Sequence, residues 1–312
     1  MKLNDYIEQV RLHIKEHLPK ELQAAEIIMQ EQSKNNDMRI HTMSLRHSDM
    51  NSCPLMGLED YYELYQNGTE IEDTFRLIGK NYLTAMNNVN FQQDMDVSYE
   101  YMKDKLFLNV VNADKNQKML ASVPHQRIED LAVLYRCMVH SSGDHTGSIL
   151  VNNKLLDGWG ISKEALHEQA VQNMDHLFTP EFHSMEYTIA EIIGAPYTET
   201  EEAQKESSMF VLTNNKGYYG ASYLCNPEIL KQISEKMDGD YLILPSSVHE
   251  IIILRDKEDM DINELKEMVE SINQTEVSQT EYLSDNVYHY DSQNQTLYIT
   301  EGNDMQQGMK LI

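Results

Sequence analysis

The sequence is poor in basic residues, and this excludes several classes of function. Its 312 residues include 25 Lys and Arg against 51 Asp and Glu, a formal net charge of −26. The basic residues are dispersed, whereas binding to nucleic acid depends on basic clusters that neutralise a row of phosphates. An anionic membrane surface would repel this chain as well. We therefore expect no direct binding to nucleic acid or to membranes.

Cysteine and long apolar runs are also scarce. The three cysteines, Cys53, Cys137 and Cys225, are far apart, so they form neither a Cys-x-x-Cys motif nor a disulfide framework. The N-terminus has no apolar signal segment. The longest apolar runs, such as 251–254, are far shorter than the roughly 18 residues that a membrane-spanning helix needs. Together these absences predict a cytoplasmic protein.

Glycine is sparse and scattered, which bears on cofactors. The 13 glycines form neither the phosphate-binding loop pattern nor the dinucleotide-binding pattern. The histidines and carboxylates show no diagnostic metal-ligand spacing. The sequence therefore predicts neither a cofactor nor a metal.

A folded core is nevertheless well supported, because 41% of the residues are hydrophobic and 18 are Tyr. Helical stripes alternate with strand-like runs, and most of these runs arrive in adjacent pairs around polar turns. This pattern predicts an α+β fold of antiparallel β-hairpins interleaved with helices, in two mixed subdomains. The predicted helices cover 3–18, 58–66, 71–86, 162–177, 227–237 and 261–272. The predicted strands cover 26–32, 38–46, 106–111, 131–139, 147–151, 209–213, 218–224, 241–244, 248–254, 287–290 and 296–299.

An acidic stretch with few apolar residues, 195–208, interrupts this pattern. It contains Pro196 and several glutamates, which is typical of a linker. We therefore predict an N-terminal α+β domain over 1–195 and a C-terminal α+β domain over 205–301, with the order ββαββαββ. The remaining tail, 302–312, is expected to fray.

Several motifs together resemble a known family. They are PHQRIEDLAV (124–133), WGIS (159–162), FVLTN (210–214), GAS (220–222) and YLILPSSVHE (241–250). In combination these segments resemble a family of bacterial proteins of unknown function, often carried on mobile genetic elements. The resemblance implies a bacterial cytoplasmic protein with a compact α+β C-terminal half. It implies no activity, cofactor or catalytic residue.

The most suggestive polar cluster is Ser246, Ser247, His249 and Glu250. These residue types suit nucleophilic catalysis if the base reaches the hydroxyl and a third group orients the base. On a strand-turn-strand, however, His249 and Glu250 would point to opposite faces, and no nucleophile elbow surrounds either serine. A binding role remains open, because polar loops on rigid scaffolds often carry function.

A second candidate pair, His125 and Arg127, precedes two carboxylates at a strand entrance. Such a pair can bind an anion. An arginine in this position can equally form a structural ion pair with a nearby carboxylate.

Three functions remain open from the sequence, in this order. The first is a non-enzymatic cytoplasmic component that binds or regulates another protein. The second is an acidic DNA mimic that inhibits a DNA-binding enzyme, which requires carboxylates about 7 Å apart along one face. The third is a hydrolase that uses the turn at 244–250. The oligomeric state stays open.

Overall fold

The computed structural model describes residues 1–46, 53–88, 96–142, 145–245, 247–257, 260–300 and 309–310. The chain divides into two compact units. Unit 1 comprises Met1–Lys34 and Met38–Val97, and unit 2 comprises Asn35–Asp37 and Ser98–Ile312. Antiparallel sheets and helices make up both units, so the predicted α+β class is confirmed.

Unit 1 places helices beside a small antiparallel sheet with the order β1-β2-β3. The predicted hairpin is confirmed, with Glu26 opposite Arg46 and Ser33 opposite Arg39. The elements of unit 1 are α1 (Leu3–His13), α2 (Lys20–Gln23), β1 (Glu26–Ser33), β2 (Arg39–Arg46), β3 (Met56–Gly57), α3 (Glu59–Gln66) and α4 (Ile71–Asn88), with a 3₁₀ segment at Ile14–His17.

The core of unit 1 forms around an apolar stripe that runs along α1 into the first residue of the 3₁₀ segment. Tyr6, Val10 and Ile14 are fully buried there, at the spacing of one helix face. The Tyr6 hydroxyl donates to Thr74 Oγ1 at 2.7 Å, so the polar end of this buried ring is satisfied. On α4, Gly79 lies so close to the 3₁₀ segment that a Cβ there would be 2.6 Å from the carbonyl oxygen of His17. The absence of a side chain at Gly79 lets α4 pack against the 3₁₀ segment.

Unit 2 contains the remaining helices and strands, which build two antiparallel sheets. They are α5 (Tyr99–Met102), β4 (Leu106–Asn112), α6 (Gln117–Leu120), β5 (Gln126–Ile128), β6 (Leu131–Ser142), β7 (His145–Leu150), α7 (Asn153–Trp159), α8 (Lys163–Leu177), β8 (Pro180–Ser184), α9 (Met185–Ile193), α10 (Glu201–Glu206), β9 (Met209–Asn214), α11 (Pro227–Met237), β10 (Tyr241–Leu244), β11 (Ile251–Arg255), α12 (Ile262–Thr275), β12 (Tyr288–Asp291), β13 (Thr296–Ile299) and β14 (Met309–Lys310). The 3₁₀ segments are Asn35–Asp37, Lys103–Lys105, Asp114–Asn116 and Gly220–Cys225.

The two sheets of unit 2 share one apolar core. The larger sheet has the order β14-β13-β12-β10-β11-β9-β8, and in the smaller one β6 pairs with β4, β5 and β7. Tyr135 from the smaller sheet and Ile243 from the larger one are both fully buried in the same cluster. Leu242, next to Ile243 on β10, belongs to a second cluster with Val269 of α12. Strand β10 is therefore covered on both faces, because neighbouring side chains on a strand point to opposite sides.

Apart from Asn35–Asp37, which belongs to unit 2, the structure divides the chain between residues 97 and 98, whereas the sequence places the boundary at 195–205. The acidic stretch lies inside unit 2, because β8 before it pairs with β9 after it, with Phe182 opposite Leu212. A stretch poor in apolar residues marks any solvent-exposed connection, whether or not it separates two cores. For this reason composition alone places the domain boundary at a different position from the one in the structure.

The carboxylate of Asp130 connects the β5–β6 turn to the segment before β12. Asp130 Oδ2 accepts hydrogen bonds from Ser284 Oγ at 2.7 Å and from Asn286 Nδ2 at 2.9 Å. Asp130 Oδ1 accepts a third from the Tyr288 hydroxyl. Burial and the nearby Asp130 charge raise the pKa of Tyr288 well above its usual value, so this hydroxyl keeps its proton and remains a donor.

One predicted strand is wrong. Residues 218–224 do not form a strand, because Tyr219 has a φ of 62° and a buried 3₁₀ segment starts at Gly220. The N–H of Gly220 donates to the carbonyl of His249 at 3.0 Å, and a Cβ at Gly220 would lie 2.3 Å from that oxygen. The β-favouring side chains of this stretch are therefore overridden by a close backbone contact. From β9 to β13 the order is βαββαββ, without the second strand of the predicted first hairpin.

Most of the predicted frayed tail, 302–308 and 311–312, lies outside the described residues. Within the described part, Lys310 pairs with Thr296 and Met309 with Leu297.

Gly79→Ala tests the close packing in unit 1. We expect the free energy of unfolding to fall by about 1–3 kcal/mol, because the added methyl group overpacks the contact with His17. Gly158→Ala is the matched control, since Gly158 also lies in a helix but a Cβ there meets nothing within 4 Å. That variant should gain up to about 0.5 kcal/mol from helix propensity. Urea denaturation measures both, and equal stabilities of the two variants would contradict the close contact.

Candidate functional site

The turn between β10 and β11 contains the first predicted site. β10 ends at Leu244 and β11 starts at Ile251, so the strand begins later than predicted. Ser246 lies outside the described residues. Ser247 forms an isolated β-bridge with Tyr282, and Val248 N–H donates to the carbonyl of Glu281 at 2.9 Å. The turn is thus tied to the loop before β12.

Ser247 is buried, and its hydroxyl serves local structure. Its Oγ accepts a hydrogen bond from the backbone N–H of His249 at 3.1 Å, and it donates to the carboxylate of Glu250. A hydroxyl that bonds a backbone N–H two residues on is ordinary turn chemistry.

The ring of His249 faces other partners. Its Nδ1 lies 3.3 Å from the backbone N of Tyr219 and accepts its hydrogen bond, so the neutral ring carries its proton on Nε2. That Nε2 lies 3.5 Å from Glu281 Oε1. A general base must reach the hydroxyl that it activates, and here both ring nitrogens face groups other than the Ser247 hydroxyl.

Glu250 is a partly buried carboxylate beside these residues. Burial raises its pKa, and the charge of Glu281 adds to this, while His249 and the hydrogen bond from Ser247 act in the opposite direction. The net pKa is raised. The turn therefore holds a carboxylate whose charged form is poorly solvated.

His125 and Arg127, the second predicted site, are occupied locally. His125 Nδ1 donates to the carbonyl of Val123 at 3.0 Å. Arg127 is exposed and donates from Nη2 to Asp114 Oδ1 at 2.9 Å. This is the ion pair that the sequence left open as an alternative to anion binding, and such exposed pairs contribute only about 0–1 kcal/mol.

The two predicted sites do not meet in any observed hydrogen bond or ion pair of the described residues. Within the same residues, no group of three His, Cys, Asp or Glu side chains is arranged to hold a metal ion.

Unit 1 has an open groove of about 620 Å³ that is lined by Glu16, His17, Arg76 and Lys80, among others. Two of its basic side chains have acidic neighbours, Arg76 with Asp73, and His17 with Glu72 at 3.1 Å. The groove therefore presents little unbalanced charge to a ligand.

A surface that the sequence analysis missed lies on α9 and the segment after it. Ile189, Ile192 and Ile193 are 50%, 78% and 70% exposed, and Tyr197 is 39% exposed. The three isoleucines stand at i, i+3 and i+4, so they share one helix face. We call these four residues the α9 surface. Their spacing is visible in the sequence, but an apolar stripe normally predicts a buried face, so the sequence offers no sign of exposure.

The end of α9 is well ordered. Gly194 takes the left-handed conformation with a φ of 66°, and its N–H bonds to the carbonyl of Glu191 at 3.2 Å. The N–H of Ala195 bonds to the carbonyl of Ala190 at 2.8 Å. This pair of bonds is the Schellman motif, which satisfies the last carbonyls of a helix. Ile192 and Ile193 therefore project from a closed helix end.

Glu199 fixes the segment that carries Tyr197. Its side chain is only 8% exposed, its Oε1 accepts the N–H of Ser184 at 2.6 Å, and its Oε2 accepts Nδ1–H of His183 at 2.8 Å. Burial alone would raise the pKa of Glu199, but these hydrogen bonds outweigh it and the net pKa is lowered. The His183 ring stacks on Tyr187 with centroids 4.4 Å apart, and Tyr187 meets Tyr197 edge-on at 6.3 Å.

With these features in place, the molecule is defined as an α+β protein with an exposed apolar surface on unit 2. The sequence model of a family described as "Family of unknown function (DUF5688)" matches residues 3–292. The chain therefore belongs to this family. No curated protein and no solved structure matches the chain. None of the helices in the described parts of the chain is long and apolar enough to cross a membrane.

Glu199→Gln tests the anchor of the α9 surface. A lowered pKa means that the carboxylate stabilises the fold above about pH 5 and that this contribution is lost as the pH falls through the folded-state value. We expect the variant to lose about 1–3 kcal/mol of unfolding free energy at pH 7, and the difference from wild type to shrink towards pH 3. Denaturant titrations across pH measure this. The exposed Glu206→Gln is the control, and a Glu199 variant with the stability of that control would contradict the anchor.

Glu250→Gln should show the opposite pH dependence. Because burial raises the pKa of Glu250, wild type loses stability as the pH rises from the unfolded-state value through the folded-state value. The variant has no such loss, so it should be more stable than wild type at pH 7, with the gain absent near pH 4. The same titrations measure it. Lower stability at pH 7 would show that the turn needs this charge.

Proposed function

We propose that this protein acts by binding another protein, as a non-enzymatic regulatory component, and that the α9 surface is its docking site. The observation that carries this proposal is the exposure of Ile192 and Ile193 at an ordered helix end. Burying an isoleucine side chain is worth about 1.5–3 kcal/mol, so leaving two exposed side by side forgoes a substantial stabilisation. Contiguous exposed apolar patches rimmed by polar residues mark interaction sites.

The hydrolase alternative has less support. Its histidine accepts a hydrogen bond from Tyr219 N–H and faces Glu281, and its serine bonds the backbone and Glu250. Nucleophilic catalysis needs a base in contact with the nucleophile, and the observed contacts do not provide that pair.

The bacterial cytoplasm is the location that we propose. The three cysteines are free thiols, two of them buried, which suits a reducing compartment. Burial raises the pKa of both Cys137 and Cys225 to about 12, so these thiols are unreactive. A bacterial origin and carriage on mobile elements rest on the motif resemblance alone.

A DNA mimic is the second candidate, and it rests on the acidic charge of unit 2. Unit 2 contains 16 Lys and Arg against 36 Asp and Glu, a net charge of 16 − 36 = −20, whereas unit 1 has 9 − 15 = −6. On α12, Glu264 and Glu267 are exposed on successive turns. A mimic would bind through such carboxylates, and the α9 surface would be dispensable.

The experiment compares the tagged wild-type protein with Ile192→Ser/Ile193→Ser in capture from nuclease-treated host lysate. We expect one stoichiometric protein partner, with recovery reduced about tenfold or more in the double variant, because central apolar anchors dominate such interfaces. The double variant should fold normally, since exposed substitutions change stability by less than about 0.5 kcal/mol.

The matched control is Met268→Ser/Ile272→Ser, a pair of exposed apolar residues at i and i+4 on α12. It should retain the partner. Equal recovery by all three proteins would contradict the docking site. Loss only in Glu264→Gln/Glu267→Gln would favour the mimic.

A further inference from the structure

We infer that the α9 surface binds an amphipathic helix of a partner protein whose apolar stripe is flanked by Lys or Arg. This inference rests on the proposed docking function and adds the chemical class of the partner. The two observations behind it are the acidic rim of the surface and the geometry of its apolar stripe.

The rim is acidic because glutamates outnumber basic residues in the surrounding segment, where the first Lys or Arg after α9 is Lys205 on α10. Residues 180–204 contain six glutamates and neither Lys nor Arg. Glu186, Glu191, Glu201 and Glu202 are exposed and Glu181 is half-buried, whereas the sixth, Glu199, is the buried anchor described above. Lys205 lies on α10 itself. Two further cations touch this region, but Lys236 lies over the ring of Phe182 on β8, and Arg255 donates to the carbonyl of Gln204 at 3.2 Å. Neither of these contacts is with α9.

The carboxylates on α9 are held in place and keep free acceptor capacity. Glu186 Oε2 accepts from Ser207 Oγ at 2.9 Å, and the Tyr187 hydroxyl donates to Glu191. The hydrogen bond with Glu191 raises the pKa of Tyr187, and so do the charges of Glu191, Glu199 and Glu181. The charges of three carboxylates therefore act on the hydroxyl of Tyr187. An ionised carboxylate offers about four acceptor sites, so each can bind a cation as well.

The charge argues against other occupants. In a symmetric contact with a second copy, the same glutamates would face each other, which is unfavourable. Anionic lipid headgroups and nucleic acid would meet the same repulsion. The Lys or Arg side chains of a basic partner are attracted to the glutamates of this rim. This attraction speeds association and favours basic partners over others.

The shape argues for a helix. Ile189 and Ile193 lie one turn apart and form a short ridge, with Ile192 beside them. Ridges of this i, i+4 kind pack into the grooves of a second helix. Anchors at i, i+3, i+4 and i+7 are how such a helix recognises an apolar surface.

The test uses two synthetic 18-residue helical peptides with the same leucine stripe, one flanked by Lys and one by Glu. Fluorescence anisotropy in low salt measures their binding to the full chain. We expect the Lys peptide to bind at least about tenfold more tightly than the Glu peptide, and Ile192→Ser/Ile193→Ser to weaken it about tenfold. Glu186→Gln/Glu191→Gln keeps one acceptor oxygen at each position and removes two charges. It should weaken the Lys peptide about threefold to tenfold in low salt, with the difference fading at about 0.5 M salt.

The outcomes separate this inference from the proposed function. If both peptides bind equally and depend on Ile192 and Ile193, the docking site stands and the basic partner is wrong. If Met268→Ser/Ile272→Ser weakens the Lys peptide as much as the α9 variant does, binding is a general response to acidic helices and the inference fails. If neither peptide binds, the inference fails, while capture of a partner that requires Ile192 and Ile193 would still support the docking function. Self-association that requires the same isoleucines would assign the surface to a second copy.

Discussion

The carboxylate of Asp130 is the interaction on which the organisation of unit 2 depends. It gathers Ser284, Asn286 and Tyr288 at the end of the small sheet. Hydrogen bonds to an ionised group are roughly twice as strong as neutral ones, and removal of the carboxylate would leave three donors without a partner. The chain segments joined in this way are separated by more than 150 residues, so the contact closes a very long loop. The fold tolerates the carboxylate of Asp130 there because its three hydrogen-bond donors are already in position.

Other polar side chains satisfy the same constraint along the shared core. Asn112 Nδ2 donates to the carbonyl of Leu283 at 2.9 Å, and Ser222 Oγ donates to the carbonyl of Leu108 at 2.8 Å. Each of these hydrogen bonds joins strand β4 of the smaller sheet to a segment that is held in place by the larger sheet. Buried polar groups cost free energy unless they are hydrogen-bonded, so these contacts allow two sheets to share one core. They also explain why an acidic stretch in the middle of the chain does not separate two bodies.

The fold elements that could be predicted are those whose causes are local. Helix α11 follows Asn226, whose side chain accepts from Glu228 and Ile229 N–H, and Pro227 occupies its first turn. Helix α12 follows Asp261 in the same way. Caps and apolar stripes are written within a few neighbouring residues. The 3₁₀ segment at 220–225 depends instead on the carbonyl of His249, which lies about thirty residues away in the chain. No local pattern contains that information.

The same distinction applies to the candidate sites. Ser247, His249 and Glu250 could be proposed because their types suggest chemistry, yet their roles depend on Tyr219 and Glu281, which only the fold brings near. Arg127 was correctly paired with a carboxylate as one alternative, although its partner proved to be Asp114. The α9 surface was missed for the converse reason. Its apolar stripe has the spacing of a buried helix face. Only the fold shows that these side chains are exposed.

Glu199 links the stability of the fold to the proposed docking site. A nearly buried carboxylate is retained beside the start of α9, where an apolar side chain would pack without any requirement for donors. Its hydrogen bonds to His183 and Ser184 hold the segment of Tyr197 against the start of α9. Fixing a binding surface before the partner arrives reduces the ordering cost of association. The Schellman bonds at Gly194 and Ala195 act in the same direction at the other end of the patch. The closed helix end, the buried anchor and the uncovered isoleucines are together the features that the proposed recognition surface needs.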